Sequence, residues 1–221
     1  MNMERSNIPA AVVGRLPRYY RYLGELIENG VGRISSDRLS ELMGVTASQI
    51  RQDLNHFGGF GQQGYGYNTS YLYQEIGELL GLNDRYDMIL IGAGNLGEAL
   101  AAFINGSRLN QRFIAAFDIN EELFGRYISD VPVLSMQELK DFTQKHSVSI
   151  AVLAVPGPAA AVAAAQLAGC RIRAVWNFTN AELELPEDIL VEDVHLMDSM
   201  RKLTYGIHAR NLKGVKDHDA D

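Results

Sequence analysis

An α/β chain in two parts is predicted from three observations. Gly92, Gly94 and Gly97 stand in G-x-G-x-x-G spacing between a short apolar run and a helix-forming run. Apolar, strand-like segments and helical segments then alternate as far as about residue 195. Ahead of the glycines, two short helices joined at Gly44 lead into a stretch rich in glycine and aromatic residues. Together these predict an N-terminal winged helix-turn-helix domain, then a Rossmann dinucleotide-binding domain, then a C-terminal helix. The expected boundaries are 1–80 for the winged helix, 81–196 for the nucleotide domain, 197–213 for a dimerisation helix and 214–221 for a disordered tail.

Composition sets the outer limits. At 221 residues, 47% hydrophobic and 21% charged, the chain has the make-up of a soluble globular protein. No apolar run reaches the roughly 18 residues a membrane span needs, and the N-terminus lacks a secretion signal's apolar core, so a cytoplasmic protein is expected. Cys170 is the single cysteine and the five histidines show no ligand spacing, which argues against disulfides and metal. The net charge of −7 argues against nucleic-acid binding until it is divided along the chain. Residues 1–73 hold seven Lys and Arg against six Asp and Glu, so the acidity belongs to the remainder.

Along the first part, PRYYRYLGELIEN reads as a helix with Tyr19, Leu23, Leu26 and Ile27 on one side. Arg15, Arg18 and Arg21 at i, i+3 and i+6 share another side, suited to phosphate or to solvent. SSDRLSELMG gives a short helix stopped by Gly44, and Thr46 with Gln49 forms a T-x-x-Q capping box that starts the next. There Ile50, Leu54 and Phe57 point inward, leaving Ser48, Gln49, Arg51, Gln52, Asn55 and His56 for solvent or a groove. The helix-turn-helix spans Pro17 to His56, and FGGFGQQGYGYN suits a hairpin wing carrying Gln63. The candidate DNA contacts are Arg15, Arg18, Thr46, Ser48, Gln49, Arg51, Gln52, Asn55, His56 and Gln63, with Arg51 foremost. Small three-helix domains that bind no DNA share this pattern.

In the second part, YDMILI has the residues of a buried parallel strand and LGEALAAFI those of a helix. Gly92 permits the tight turn, Gly94 lets a pyrophosphate approach the backbone, and Gly97 lets helix and strand pack closely. The residues of this loop, Gly92, Ala93, Gly94, Asn95, Leu96 and Gly97, are the expected phosphate cradle. Asp118 ends the next strand, 21 residues beyond Gly97, where an acid binds a ribose 2′-hydroxyl and favours NAD(H) over NADP(H). SIAVLAV and IRAVWNF read as further strands around a helix, so Val155, Pro156, Asn177 and Phe178 are expected to border the cofactor. Met197, Met200, Leu203, Ile207 and Leu212 fall along one helical stripe, which suggests docking on a second subunit.

With both parts in place the chain resembles the Rex family of redox-sensing bacterial transcriptional repressors. The carriers are RLPRYYRYL, VTASQIRQDLNHFGGFGQQGYGYN, ILIGAGNLGEAL, AFDIN, DVPVL, AVPGPAA and WNFTNAELELPE, in fixed order through residues 8–208. The resemblance implies a homodimer with exchanged C-terminal helices, a palindromic double-stranded operator, NADH and NAD+ as cofactors, and release from DNA when NADH binds. It also implies a switch network in which Arg21 joins a tyrosine and an aspartate. Phe103 stands at the tyrosine position here and His195 at the aspartate position, with Asp193 or Asp198 as substitutes. Gln52, Asn55, His56 and Gln63 stand where the family often has lysine, serine, tyrosine and a basic residue. Two other readings remain. A small NAD-dependent oxidoreductase with an N-terminal dimerisation arm would need an acid/base pair that the sequence does not offer, so no enzyme is expected. A CoA-type nucleotide ligand would use the same fold without Asp118.

Overall fold

The computed structural model describes residues 8–56, 61–62, 65–107 and 109–218, the side chains of 61–62 and 212–218 excepted. Two compact units result, Met1–Asp84 and Arg85–Asp221.

In the first unit the helices are α1 (Ala10–Val13), α2 (Leu16–Glu28), α3 (Ser36–Met43), α4 (Ala47–Asn55) and α5 (Thr69–Leu79). Side-chain oxygens set three of the starts: Ser35 accepts from the Arg38 amide at 3.1 Å, Thr46 from Gln49 at 3.2 Å and Asn68 from Tyr71 at 2.9 Å. Gly44 ends α3 at φ 64°, a left-handed conformation open to glycine. The apolar stripe of α2, Leu16, Tyr19 and Leu23, packs in one core with Ile50 and Leu54 of α4 and Leu72 and Ile76 of α5. Strands β1 (Arg33–Ile34), β2 (Gly61–Gln62) and β3 (Gly66–Asn68) form an antiparallel sheet in the order β1-β3-β2, and β2 with β3 is the expected wing hairpin. Gly66 has φ 67°, and a Cβ there would lie 2.6 Å from the Ile34 carbonyl oxygen, so the wing meets β1 only because that residue is glycine.

Two expectations change in this unit. Only half of the capping box forms, because the Gln49 carboxamide turns to Asp53 Oδ1 at 2.8 Å. The charge-assisted bond from Gln49 Nε2 to the buried Asp53 carboxylate orients the carboxamide away from the Thr46 backbone N–H, which its oxygen would otherwise accept from. Phe57 and Gln63 lie outside the described residues. Helices α1 and α5 and strand β1 are additional to the expected elements. One-turn helices and two-residue strands carry no measurable period, but α5 had a signal in Asn68 followed by Leu72, Ile76 and Leu79.

In the second unit β4 (Tyr86–Ile91), β5 (Gln111–Asp118), β6 (Tyr127–Ile128), β7 (Val131–Ser135), β8 (Ile150–Leu153), β9 (Ala174–Asn177) and β10 (Leu190–Asp193) make one sheet. Its order is β10-β9-β8-β4-β5-β7-β6, parallel except for the β6–β7 pair. Ser129 and Asp130, at φ 48° and 66°, form the two-residue turn that joins β6 to β7. Residues of β4 alternate between two cores: Met88 and Leu90 pack with α6 (Asn95–Asn105), whereas Ile89 and Ile91 pack with α7 (Leu139–Lys145) and α8 (Gly157–Leu167). The chain moves outward from β4 through β5 to β7 and then resumes at β8 on the other side of β4. This reversal between β4 and β8 opens a crevice at the carboxyl ends of the strands.

Helix α9 runs Leu196–His218, past the expected end at residue 213. Gly214 does not stop it, since one glycine costs only about 1 kcal/mol relative to alanine and no proline follows. Met197, Met200, Leu203 and Ile207 are 50 to 60% exposed, and Leu190 and Val191 of β10 are exposed as well. The Leu212 side chain is outside the description. Among the described residues no helix is long and apolar enough to cross a membrane, and no His, Cys, Asp and Glu cluster suits a metal ion.

Candidate nucleotide cleft and recognition helix

The cleft is built on backbone. The Gly92 amide donates to the Phe117 carbonyl and the Ala154 amide to Ile91, each at 2.8 Å, tying the ends of β4, β5 and β8 together. At φ 99° a Cβ on Gly92 would lie 2.6 Å from the Ala154 carbonyl oxygen. One on Gly97 would lie 2.0 Å from the Gly92 carbonyl oxygen, so α6 crosses the loop at a distance that excludes any side chain. Gly94 differs: a Cβ there meets nothing within 4 Å. It is the N-cap of α6 and no side chain caps that helix, which leaves the first-turn amides as donors for an anion.

Asp118 closes β5 beside this loop. Its Oδ2 accepts from the Ala93 amide at 2.7 Å and its Oδ1 from the Asn120 amide at 2.8 Å. A carboxylate has about four acceptor positions, so two of these bonds still leave room for ribose hydroxyls. Asp118 lines a cavity of about 370 Å³ together with Gly92, Gly94, Val155 and Pro156.

Other expected cofactor residues stand elsewhere. Ala93 is buried and contributes its amide, and Gly97 serves the helix crossing. Asn95 and Leu96 open α6 but do not line the cavity. Asn177 is fully buried: its Nδ2 donates to the Ala181 carbonyl at 3.0 Å and to Asp193 Oδ1 at 2.7 Å, while its Oδ1 accepts from Thr179. It fastens β9 to β10 and has no donor or acceptor left for a ligand; an amide in a buried strand end satisfies its neighbours first. Phe178 packs edge-on against Trp176 in the α6-side core. The reading missed Ile119, Met136, Val162 and Gln166 of the cavity wall. The residue following Asp118, the end of β7 and the i, i+3, i+7 side of α8 were the available signals.

The expected recognition helix, α4, presents a clean outer face. Ser48, Arg51, Gln52, Asn55 and His56 are exposed at i, i+3, i+4, i+7 and i+8 of α4. The Arg51 guanidinium reaches back to Ser36 Oγ at 2.9 Å. Thr46 is exposed and is held as the N-cap.

Arg15, Arg18 and Gln49, of the expected DNA-facing set, each bond to the protein, and Arg18 remains exposed. Arg15 Nε and Nη2 each bind an oxygen of Asp53 at 2.7 Å, joined by Tyr19 Oη at 2.9 Å and Gln49 Nε2 at 2.8 Å. Asp53 is fully buried. Burial alone would raise its pKa, but hydrogen bonds from Arg15, Gln49 and Tyr19 outweigh that and hold the carboxyl below its ordinary value. Burial, then the bond to Asp53, pushes the Tyr19 hydroxyl upward. Arg18 Nη2 donates to the Met43 carbonyl at 2.6 Å, filling an acceptor at the end of α3. Asp53 was overlooked although it lies on the face of Ile50 and Leu54, where a charge requires a partner.

The three switch positions are all exposed. Arg21 is exposed, its guanidinium 5.2 Å from the Tyr22 ring centre. Phe103 is 69% exposed and His195 is exposed just before α9. Asp193 is taken by Asn177, and Asp198 pairs with Arg201 at 2.8 Å.

Comparison with known proteins matches both parts. A family model described as "Putative DNA-binding protein N-terminus" covers residues 7–55, and one described as "CoA binding domain" covers 83–181. A redox-sensing transcriptional repressor Rex from Thermoanaerobacter pseudethanolicus is 46% identical over 209 residues, 95% of this chain and 93% of that protein. One from Clostridium perfringens is 47% identical over 95% of this chain and 99% of that protein. Among solved structures, RSP in complex with β-NAD+ and operator DNA superposes at TM-score 0.85 with 45% identity, covering 98% of this chain and 100% of RSP. RSP in complex with β-NADH gives 0.86 with 44% identity, covering 95% and 98%.

Proposed function

Because the chain belongs to the Rex family of redox-sensing transcriptional repressors, we propose that it is a DNA-binding repressor that reads the NADH/NAD+ ratio and leaves its operator when NADH binds. The observation that carries this reading is the uncapped glycine-loop helix beside the Asp118 carboxylate, in the same chain as a recognition helix with an exposed polar face. The first-turn amides of α6 donate to the pyrophosphate, and Asp118 accepts from the adenosine ribose and repels a 2′-phosphate. The α4 face, led by Arg51, enters a major groove. The exposed stripe of α9 and the edge of β10 bury themselves against a second copy, giving a homodimer with exchanged helices that meets two half-sites about 34–36 Å apart. Two oxidation states of one cofactor differ at the nicotinamide ring, and the dimer responds only by its differential affinity: a tenfold preference of NADH for the arrangement that cannot hold DNA shifts the balance by about 1.4 kcal/mol.

Phe103 offers no hydroxyl and His195 no fixed negative charge, so this coupling runs without the family's arginine, tyrosine and aspartate network. The test is titration of a labelled palindromic operator with the protein, followed by NADH or NAD+. Release by NADH alone supports the reading, and equal release by both ligands rejects redox sensing. The repressor reading excludes the oxidoreductase alternative, since the relatives that cover 95% of the chain are repressors.

The CoA-binding description of the second domain favours one rival ligand, and Asp118 separates the two. Asp118→Ala removes charge-assisted bonds to the ribose as well as the acceptor for the Ala93 amide, and NADH affinity should fall about 10- to 100-fold by fluorescence titration. Wild-type affinity in that variant would leave the cofactor assignment without its chemical support. Arg51→Ala should weaken operator binding and lower the slope of log K against log salt by about 1 if the guanidinium meets a phosphate. An unchanged slope with relaxed sequence preference would place it on a base instead.

A further inference from the structure

The cavity beside Asp118 is lined by two polar side chains, Asp118 and Gln166, and the reading above uses only the first. The remaining walls are apolar. Ile119 and Val162 are 81% and 66% exposed, large aliphatic surfaces left uncovered on the loop after β5 and on α8, with Met136 beside them. A flat heterocycle fits such walls, and the presence of Asp118 in the same cavity makes it the base of the adenosine half.

Gln166 stands where that base must end. Ala159, Val162, Ala163 and Gln166 follow one side of α8 at i, i+3, i+4 and i+7. The helix begins at Gly157 next to the loop residues Val155 and Pro156, and at about 1.5 Å per residue Gln166 lies roughly 10 Å farther along than Ala159, comparable to the length of an adenosine. Its backbone is fixed, the carbonyl accepting from the Gly169 amide at 3.1 Å and from Cys170 Sγ at 3.3 Å. Its carboxamide makes no hydrogen bond within the described residues.

We infer that Gln166 recognises the purine edge of the dinucleotide, its carboxamide oxygen accepting from the exocyclic 6-amino group and its NH2 donating to N7. A carboxamide pairs with adenine in this two-bonded way wherever the N6/N7 edge is accessible. The inference rests on the NAD(H) reading of the cleft and adds to it the residue that selects adenine over other bases.

The experiment compares the Kd of NADH with that of reduced nicotinamide hypoxanthine dinucleotide, in which an oxo group replaces the 6-amino group. Wild-type protein should prefer NADH by about fivefold, the scale of one net hydrogen bond. In Gln166→Leu both bonds are lost, so the NADH affinity should drop by about 25-fold, that of the hypoxanthine analogue by about fivefold, and the preference should fall to near one. Gln166→Glu should keep the preference while binding both less well, because a carboxylate still accepts from the amino group and repels the oxo group. Thermal melting confirms that these surface variants are folded. An identical preference in wild type and Gln166→Leu would overturn the assignment while leaving the cofactor reading in place. Failure of the wild type to bind NADH at all would strike the cofactor reading itself.

Discussion

Arg15→Ala should destabilise the N-terminal unit by about 3 kcal/mol, the lower part of the range for stranding one member of a buried ion pair. The asymmetry of the pair decides which partner matters more. The Arg15 side chain is 26% exposed and its guanidinium can return to water, whereas the Asp53 side chain is fully inaccessible. Deleting the arginine therefore leaves a carboxylate buried with only Tyr19 and Gln49 as donors. A double replacement, Arg15→Met with Asp53→Leu, should be more stable than Arg15→Met alone, because it removes the stranded charge along with its partner. Urea unfolding followed by far-UV circular dichroism measures both, and additive losses in the double variant would show that the pair is not coupled.

The same pair fixes a dependence on pH whose sign reverses in the variant. In the wild type the Asp53 carboxyl is held below the ordinary 3.8, so its stabilising contribution is present above that value and is lost as pH falls through the lower folded value. Without Arg15, burial dominates and the folded pKa rises above the unfolded one. Stability in Arg15→Ala should then decline as pH rises through the folded pKa, the opposite limb from wild type. Parallel pH profiles for the two proteins would refute this account of the cluster.

Gly97→Ala should abolish measurable NADH binding. The added Cβ would sit 2.0 Å from the Gly92 carbonyl oxygen and 3.1 Å from Leu90 Cδ2, and neither a loop carbonyl nor a core side chain has space to yield. Helix α6 has to retreat, its first-turn amides leave the anion site, and an affinity loss beyond about 100-fold is expected, together with a lower melting temperature. Gly94→Ala is the informative partner. Its backbone, at φ −79°, accepts alanine, and the new methyl meets no atom within 4 Å. Its melting temperature should match wild type while NADH affinity falls, because the methyl occupies only the space through which a pyrophosphate approaches. Equal affinity in Gly94→Ala and wild type would remove the phosphates from this loop.

What the sequence determined was periodic or local. The G-x-G-x-x-G spacing, the buried character of YDMILI and the distance from Gly97 to Asp118 describe one strand, one turn and the next strand end, each set by backbone sterics over a few residues. The outward face of α4 follows from helix geometry alone once its apolar side is known. What only the tertiary structure decided was the partner of each polar side chain. Arg15 had the composition of a DNA-facing surface, and Asn177 the position of a cofactor contact. A buried carboxylate and an unfilled strand edge, 38 and 16 residues away from Arg15 and Asn177, took them instead. The cavity wall formed by Ile119, Met136, Val162 and Gln166 brings together three segments far apart in the chain. Hydrogen bonds and apolar contacts are satisfied by whatever folding brings within reach, and sequence spacing does not encode that distance.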